Sequence, residues 1–313
     1  MGIELEKNGF DSEARLLYKK ALDNSYDFMT VRNKEEGADF AAAGYPGYCG
    51  YYAGALLKDR QYDSALLYIQ KAYAARKNPD LLTNTQYALI LQAIGKSEEA
   101  FAKADEIVRI GSADVKLKEL HKSLYVTTHR DGKSYEAYME DTQREITKNV
   151  IANLKNTILD QPSPAFVLKD TEGRTVSSDN LKGKIVILDF WATWCGPCKR
   201  SFPAMQMAVN KYKNDPSVLF LFIHTWERGD ADPIPEVRKF IGDNHYTFRV
   251  LMDRKDPVSA TNKVVEAFGI QGIPSKFVID DKGRIRFRMT GFSGTNEAAV
   301  EELSAMIDMV KRS

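Results

Sequence analysis

The sequence is poor in the residues that would indicate several common classes of protein. It has only 3 cysteines and 4 histidines in 313 residues, too few for a fold held by several disulfide bonds. Its 44 lysines and arginines balance 43 aspartates and glutamates, so it lacks the positive excess with which proteins neutralise nucleic-acid phosphates. No apolar run approaches the roughly 18 residues of a membrane span. What remains is a globular chain, 43% hydrophobic, long enough for two domains.

Residues 1–160 predict one helix after another, because apolar residues recur at spacings of three and four. Residues 95–100 resemble residues 132–137, residues 9–14 share their glycine-to-alanine spacing, and residues 60–65 form a fourth copy without the glycine. The alanines that end these segments recur at steps of about 35 after a wider first step. This period resembles that of the tetratricopeptide repeat. An irregular helical bundle without true repeats stays open as the alternative.

Residues 161–164 contain two prolines, which end the helical region and predict a linker. From residue 165 to residue 313 short apolar runs alternate with helical patterns. A hairpin at residues 166–176 comes first, a strand buried on both faces follows at 184–190, and a helix at 296–310 closes the chain. We therefore expect a helical domain over 1–160 and an α/β domain over 165–313, with a mixed sheet flanked by helices and an N-terminal β-hairpin extension.

Cys195 and Cys198 stand between a predicted buried strand and a predicted helix. A structural zinc site would need a second pair of ligands, but Cys49 is isolated and the histidines are scattered. Covalent haem attachment would need histidine at the position of Lys199. At a helix N-terminus Cys195 faces unpaired N–H groups that favour a thiolate. We expect Cys195 to be accessible and attack a substrate disulfide, and Cys198, one turn further along, to be shielded and resolve the mixed disulfide. An inert pair is the alternative.

Residues 188–199 closely resemble the active-site stretch of thioredoxin, and residues 268–275 are similar to the second signature of that family, which carries a cis proline. Residues 164–170 and 181–184 look like the TlpA/ResA-type branch, a group of extracytoplasmic thiol–disulfide oxidoreductases related to redoxins. The resemblance covers residue 162 to the C-terminus. It implies a thioredoxin-like fold, protein disulfide substrates, a thiol redox partner, and no cofactor or metal beyond the Cys195–Cys198 disulfide.

The resemblance also implies roles for individual residues. The Ile273–Pro274 bond would be cis and would place the Ile273 backbone beside Cys195, although a tight turn before a strand is the alternative. Asp189 would accept the proton of Cys198, unless it is a strand-end carboxylate that reaches solvent. The residues expected to bind substrate are Trp194, Gly196, Pro197, Ile273, Pro274 and Gly291.

Two positions depart from the ResA-like pattern. Many relatives in that group carry glutamate three residues after the second cysteine, where this chain has Ser201, and many have asparagine at the position of Asp189. We therefore expect proton handling closer to that of thioredoxin. Residues 1–8 lack the apolar core of a signal peptide. Even so, the resemblance favours a bacterial periplasmic location with a leader absent from this sequence, and a cytoplasmic location is the alternative.

Three functions are compatible with these patterns. The first is a thiol–disulfide oxidoreductase whose helical repeats hold a partner or substrate. The second is a repeat scaffold whose thioredoxin-like half has little activity. A peroxiredoxin-type peroxidase, the third, is disfavoured because Ala192 and Leu188 stand where that class has threonine or serine and proline. The retained Cys195, Cys198, Asp189 and Pro274 favour the first.

Overall fold

The structure is a computed structural model that describes residues 1–130, 132–229, 231–256, 258–292 and 295–312. The chain forms two compact units, Met1–Ile146 and Thr147–Ser313. A helix, Tyr135–Thr157, contains the point at which the two units divide. None of the helices in the described ranges combines the length and the apolar character that crossing a bilayer requires.

The first unit is all-helical within its described residues. Its helices pack around cores of small and branched apolar side chains such as Leu56, Ile69 and Ile107. The bounds are α1 Gly2–Lys7, α2 Asp11–Thr30, α3 Ala38–Ala42, α4 Tyr45–Lys58, α5 Tyr62–Ala74, α6 Leu81–Ala93, α7 Ser97–Arg109, α8 Val115–Thr128 and α9 Tyr135–Thr157. The helical prediction for this half of the chain is confirmed.

The four similar sequence segments begin with the same backbone feature, a residue in the left-handed region just before a helix. The φ angles are 82° at Gly9, 58° at Arg60, 80° at Gly95 and 80° at Gly132. The left-handed conformation lets the chain reverse after a helix, and glycine adopts it without steric penalty. The alanine five residues later is fully buried in the first three copies, where its small side chain allows close helix packing. The assignment to the tetratricopeptide family itself stays a prediction.

The second unit is built on an eight-stranded mixed sheet with the order β1-β8-β7-β4-β5-β6-β2-β3. The strands are β1 Gln161–Pro162, β2 Val167–Asp170, β3 Thr175–Ser177, β4 Ile185–Trp191, β5 Val218–His224, β6 Val250–Met252, β7 Ser275–Ile279 and β8 Arg284–Thr290. The helices are α10 Gly196–Tyr212, α11 Ile234–Asp243, α12 Lys263–Ala267 and α13 Asn296–Lys311. The predicted hairpin, β2–β3, lies at one edge. At the other edge β1 pairs with β8, so part of the segment predicted as a linker belongs to the sheet.

Strand β4 lies at the centre of this sheet, parallel to β5 and antiparallel to β7. All seven of its residues are buried. Ile187 and Trp191 pack on the face covered by α10 and α13, whereas Leu188 and Phe190 pack on the opposite face. Because burying one large apolar side chain contributes about 1.5–3 kcal/mol, this strand is a rigid base for the segment that follows it. Alternation along β4 places Asp189 on the same face as Ile187 and Trp191.

Candidate active site

Cys195 and Cys198 lie at the start of α10, directly after the loop that leaves β4. Cys195 is the N-cap residue of α10, and its Sγ accepts the backbone N–H of Cys198 at 3.2 Å. The two cysteines form a disulfide bond, with their Cα atoms 5.3 Å apart. Pro197 occupies the first turn, where its missing N–H leaves no helical hydrogen bond unmade. The predicted strand–loop–helix setting of the pair is confirmed.

Both sulfurs are covered in this disulfide-bonded state. Cys195 is only 2% exposed and Cys198 is fully buried. We expected Cys195 to be accessible, and in this state it is not, because its Sγ lies between the N–H of Cys198 and the carbonyl oxygen of Ile273, which is 3.7 Å away. The neighbouring Trp194 is 40% exposed and forms the open surface beside Cys195.

The loop opposite the disulfide contains a cis peptide bond between Ile273 and Pro274. Its position is held by hydrogen bonds on both sides, since Ser275 Oγ donates to the Gly272 carbonyl at 2.7 Å and the Gly291 N–H donates to the Pro274 carbonyl at 2.8 Å. The structure thus brings the Ile273 backbone beside Cys195, as the sequence predicts. Gly291 contacts this loop through its hydrogen bond to the Pro274 carbonyl.

Asp189 is fully buried, which excludes the alternative of a strand-end carboxylate that reaches solvent. Burial raises the pKa of its carboxyl, and the ammonium group of Lys276 opposes that shift. Lys276 Nζ lies 3.3 Å from Asp189 Oδ1. Among the described residues neither carboxylate oxygen of Asp189 has a well-directed hydrogen-bond donor. Such a buried group departs from the usual rule of satisfied polar atoms and marks a candidate functional residue.

Ser201 occupies the position where many ResA-like proteins carry glutamate. Its hydroxyl donates to the Cys198 carbonyl at 2.8 Å and accepts a hydrogen bond from Lys276 Nζ at 3.3 Å. The ammonium of Lys276 therefore bridges Asp189 and the backbone of the helix turn that carries Cys198. No sequence motif singled out Lys276, although a lone lysine in the apolar run of β7 is the signal that could have done so.

Comparison with known proteins agrees with this geometry. Residues 159–288 match the AhpC/TSA family. The thiol-disulfide oxidoreductase ResA of Geobacillus thermodenitrificans is 35% identical over 129 residues, which are 41% of this chain and 67% of that protein. This chain belongs to the ResA-like thiol–disulfide oxidoreductases. The ResA of Halalkalibacterium halodurans is 32% identical over 142 residues, 45% of this chain and 73% of the relative.

Among solved structures, a thiol:disulfide interchange protein of the thioredoxin family from Chlorobium tepidum is 26% identical, with a TM-score of 0.39. That similarity covers 49% of this chain and 97% of the other. Membership of the ResA-like oxidoreductases makes the protein an enzyme and confirms the thioredoxin-like fold predicted for its second half.

This ResA-like site also contains contacts that the sequence did not predict. Glu227 Oε2 accepts the Thr193 N–H at 3.1 Å and the Thr193 hydroxyl at 2.7 Å, and it lies 2.8 Å from His224 Nε2. Trp194 Nε1 donates to the Trp226 carbonyl at 2.8 Å. The segment after β5 thereby holds the two residues that precede Cys195. The Thr193–Glu227 and Trp194–Trp226 contacts join residues more than 30 positions apart in the chain, so local sequence patterns do not predict them.

Within the ranges that the structure describes, no group of three or more histidine, cysteine, aspartate or glutamate side chains is arranged to hold a metal ion. The expectation that this ResA-like enzyme uses only its own disulfide, without a cofactor, stays a prediction. The chemistry that the described groups can perform is exchange between a cysteine pair and an external thiol or disulfide.

Proposed function

We propose that this oxidoreductase reduces or exchanges disulfides in protein substrates, with Cys195 as the attacking sulfur and Cys198 as the resolving one. The observation that carries the proposal is the position of the Cys195–Cys198 disulfide, at a helix N-terminus and 3.7 Å from the backbone carbonyl of Ile273. The N–H that Cys195 Sγ accepts from Cys198 would stabilise a thiolate on Cys195 when the pair is reduced.

In the reductive direction the Cys195 thiolate attacks one sulfur of the substrate disulfide. A bond forms between Cys195 and that sulfur, the substrate S–S bond breaks, and the second substrate sulfur leaves as a thiolate that takes up a proton. Cys198 then loses its proton and attacks Cys195 Sγ, which forms the Cys195–Cys198 disulfide and releases the remaining substrate thiol. The substrate gains two electrons and the enzyme loses two, and the reverse sequence oxidises a dithiol.

Asp189 is proposed as the acceptor of the Cys198 proton. Its carboxyl lies on the face of β4 that α10 covers, and burial raises its pKa toward the range useful for proton transfer near neutral pH. The Ser201 hydroxyl and the Lys276 ammonium connect this carboxyl to the turn that carries Cys198. This role of Asp189 is the one that the matching acid has in thioredoxin. It is in line with the two positions, Asp189 and Ser201, at which the chain departs from the ResA-like pattern.

The substrate is proposed to bind as an extended segment along the backbone of Ile273 and Pro274. Trp194 and Pro197, both exposed beside the disulfide, would form the docking surface. Gly196, between the cysteines, and Gly291, which donates a hydrogen bond to the Pro274 carbonyl, are proposed to belong to the same substrate-binding surface.

For the helical unit we propose tetratricopeptide-like repeats that bind a partner or a substrate protein. The recurrent left-handed turns and buried alanines support repeats. We further propose that residues 165–313 are the catalytic domain and that 161–164, of which the first two residues also pair with β8, join it to the helical domain. We propose as well that the enzyme is extracytoplasmic and that it needs no cofactor. The resemblance to the TlpA/ResA-type branch supports these four points.

An insulin-reduction assay with dithiothreitol tests the function. The full chain should accelerate insulin reduction well above the rate of dithiothreitol alone, and the Cys195→Ser variant should not. A rate equal to that of the reductant alone would contradict the proposal and favour a repeat scaffold with a nearly inactive thioredoxin-like module.

A further inference from the structure

Lys276 and Asp189 form a buried charged pair beneath the redox site. The side chain of Lys276 is 8% exposed and that of Asp189 is 1% exposed, and their charged atoms lie 3.3 Å apart. Two ionised groups this deeply buried lose much of their hydration, so such a pair contributes little stability by itself. Stabilisation of the fold therefore does not explain why both charged groups lie in the core.

The sheet register explains why the two side chains meet. Asp189 on β4 is directly opposite Lys276 on the antiparallel β7, and both point to the side covered by α10 and α13. On the other neighbouring strand, β5, the residue opposite Asp189 is Phe222, which carries no charge. From α10 the groups on this side are the Cys198 thiol and the Ser201 hydroxyl.

A cavity of about 230 Å³ lies between α10, α13 and strands β7 and β8. Its lining includes Ser201, Lys276, Gly291 and, from α13, Glu302. Asp189 is almost completely buried, and its ion-pair partner Lys276 forms part of the cavity wall. Glu302 is the titratable group that α13 contributes to this cavity.

We propose that Lys276 is a positioning residue for the resolution step: its ammonium keeps Asp189 ionised, ready to accept the Cys198 proton, and connects that carboxyl to the cavity. This inference rests on the proposed roles of Cys195 and Cys198. When Cys198 attacks the mixed disulfide, its proton passes to Asp189, the bond between Cys195 and the substrate sulfur breaks, and that sulfur takes up a proton as it leaves. Asp189 then loses its proton toward the cavity, and the Lys276 ammonium stays charged throughout. Asp189 thus ends each cycle ionised, as it began.

The variant Lys276→Met removes the cation and keeps a long apolar side chain. Removing an opposite charge within about 4 Å raises the pKa of a carboxyl by about 1–3 units. Protonated Asp189 cannot accept a proton, so resolution by Cys198 should slow at neutral pH and recover at higher pH. Lys276→Arg keeps the charge and should restore the wild-type profile to a large extent.

The test uses the reduced full-length protein and the disulfide reagent dithionitrobenzoate. The first thionitrobenzoate anion is released when Cys195 attacks, and the second when Cys198 resolves the mixed disulfide, so one absorbance trace separates the two steps. In Lys276→Met the second phase should slow at least about tenfold at pH 7, and its pH midpoint should rise by about 1–3 units. Glu302→Gln is the matched control in the same cavity and should leave that midpoint in place.

An unchanged midpoint of the second phase in Lys276→Met, measured on protein with a wild-type circular dichroism spectrum, would overturn the inference. So would a further shift when Lys276→Met is combined with Asp189→Asn, because Lys276 would then act by another route. Failure of the proposed function has a different signature, since it would remove the first phase from the wild-type trace.

Discussion

Asp105 in the helical unit and Asp189 in the redox unit have contrasting surroundings. In the helical unit His121 is fully buried, with Nδ1 3.0 Å from the Tyr135 hydroxyl and Nε2 3.1 Å from Asp105 Oδ1. Asp105 also accepts the Tyr138 hydroxyl at 2.6 Å. In the redox unit the carboxylate of Asp189 lies 3.3 Å from the Lys276 ammonium and has no well-directed donor within the described part of the chain. A satisfied network serves the fold, whereas an unsatisfied one points to chemistry.

The cysteines show the same contrast. Cys49 is buried in the core around α4, and burial raises the pKa of its thiol, which makes it a poor nucleophile. Cys195 is also covered, but it caps a helix and already has a disulfide partner. Burial alone therefore does not distinguish a structural cysteine from a reactive one. The backbone around the sulfur does distinguish them, because Cys195 lies at a helix N-terminus.

The largest expected effect separates these cysteines. Cys195→Ser should lower insulin reduction by at least roughly a thousandfold, because the attacking sulfur is lost. Cys49→Ala should keep most of the wild-type rate, since it removes only a buried side chain in the helical unit. A comparable loss of insulin-reduction rate in both variants would contradict the distinction between a reactive cysteine in one unit and a structural cysteine in the other.

A smaller effect should appear in stability alone. Ile107→Ala removes a fully buried side chain from the core of the helical unit. It should lower the free energy of unfolding by about 2–5 kcal/mol through lost burial and a cavity. Urea denaturation followed by circular dichroism measures this loss, and the two-phase reaction with dithionitrobenzoate serves as the control. A slowed first phase in folded Ile107→Ala would show that the helical core also supports the chemistry.

Asp189 and Asp105 should give pH dependences of opposite sign. Folded Asp189 binds its proton more tightly than the unfolded chain does, so its contribution to stability is lost as pH rises above the ordinary aspartate pKa of about 4. Asp189→Asn has no carboxyl to ionise and therefore does not lose stability in this way. Its free energy of unfolding, compared with that of the wild type, should rise with pH by about 1–3 kcal/mol in total. Urea denaturation of the wild type and of Asp189→Asn at a series of pH values measures this difference.

Asp105 is the matched control for that measurement. Burial alone would raise the pKa of Asp105, but hydrogen bonds from His121, Tyr138 and Arg109 outweigh burial and lower the pKa. Its contribution to stability is present above the unfolded pKa and is lost as pH falls through the folded pKa. Asp105→Asn should therefore be destabilised at neutral pH and approach wild type in acid. The same slope for both variants would contradict the assignment of the two carboxylates to different roles.

The smallest effect concerns the turns of the helical unit. Arg60 has a φ of 58°, in the region where non-glycine residues are strained. Arg60→Gly should therefore raise the free energy of unfolding by about 1 kcal/mol, and Gly95→Ala, with φ of 80° and open space around it, should lower it by a similar amount. Urea denaturation measures the free energy of unfolding of both variants. A higher value for Gly95→Ala than for the wild type would contradict the left-handed turn geometry that the two positions share.

Sequence reasoning predicted the features that contiguous segments encode. The buried strand β4 and the helix start at Cys195 each depend on a few neighbouring residues, and the cis bond before Pro274 was implied by the resemblance of residues 268–275 to thioredoxin. The strand at Gln161–Pro162 was not predicted, because a two-residue edge strand that contains proline has the composition of a linker.

The features that sequence reasoning missed depend on residues far apart in the chain. The Asp189–Lys276 pair depends on the register of β7 against β4. The hydrogen bonds from Thr193 to Glu227 depend on the position of the loop after β5. The covered state of Cys195 also has a tertiary cause, since the Ile273 carbonyl comes from a residue 78 positions away.

Trapping of the mixed disulfide tests the central claim most directly. The Cys198→Ser variant is incubated with an oxidised peptide that contains one disulfide, and the adduct is located by mass spectrometry of proteolytic fragments. The account predicts a stable adduct on Cys195 in this variant and none in Cys195→Ser. Equal adducts in both variants, or an adduct on Cys198 in Cys195→Ser alone, would contradict the assignment of Cys195 as the attacking sulfur.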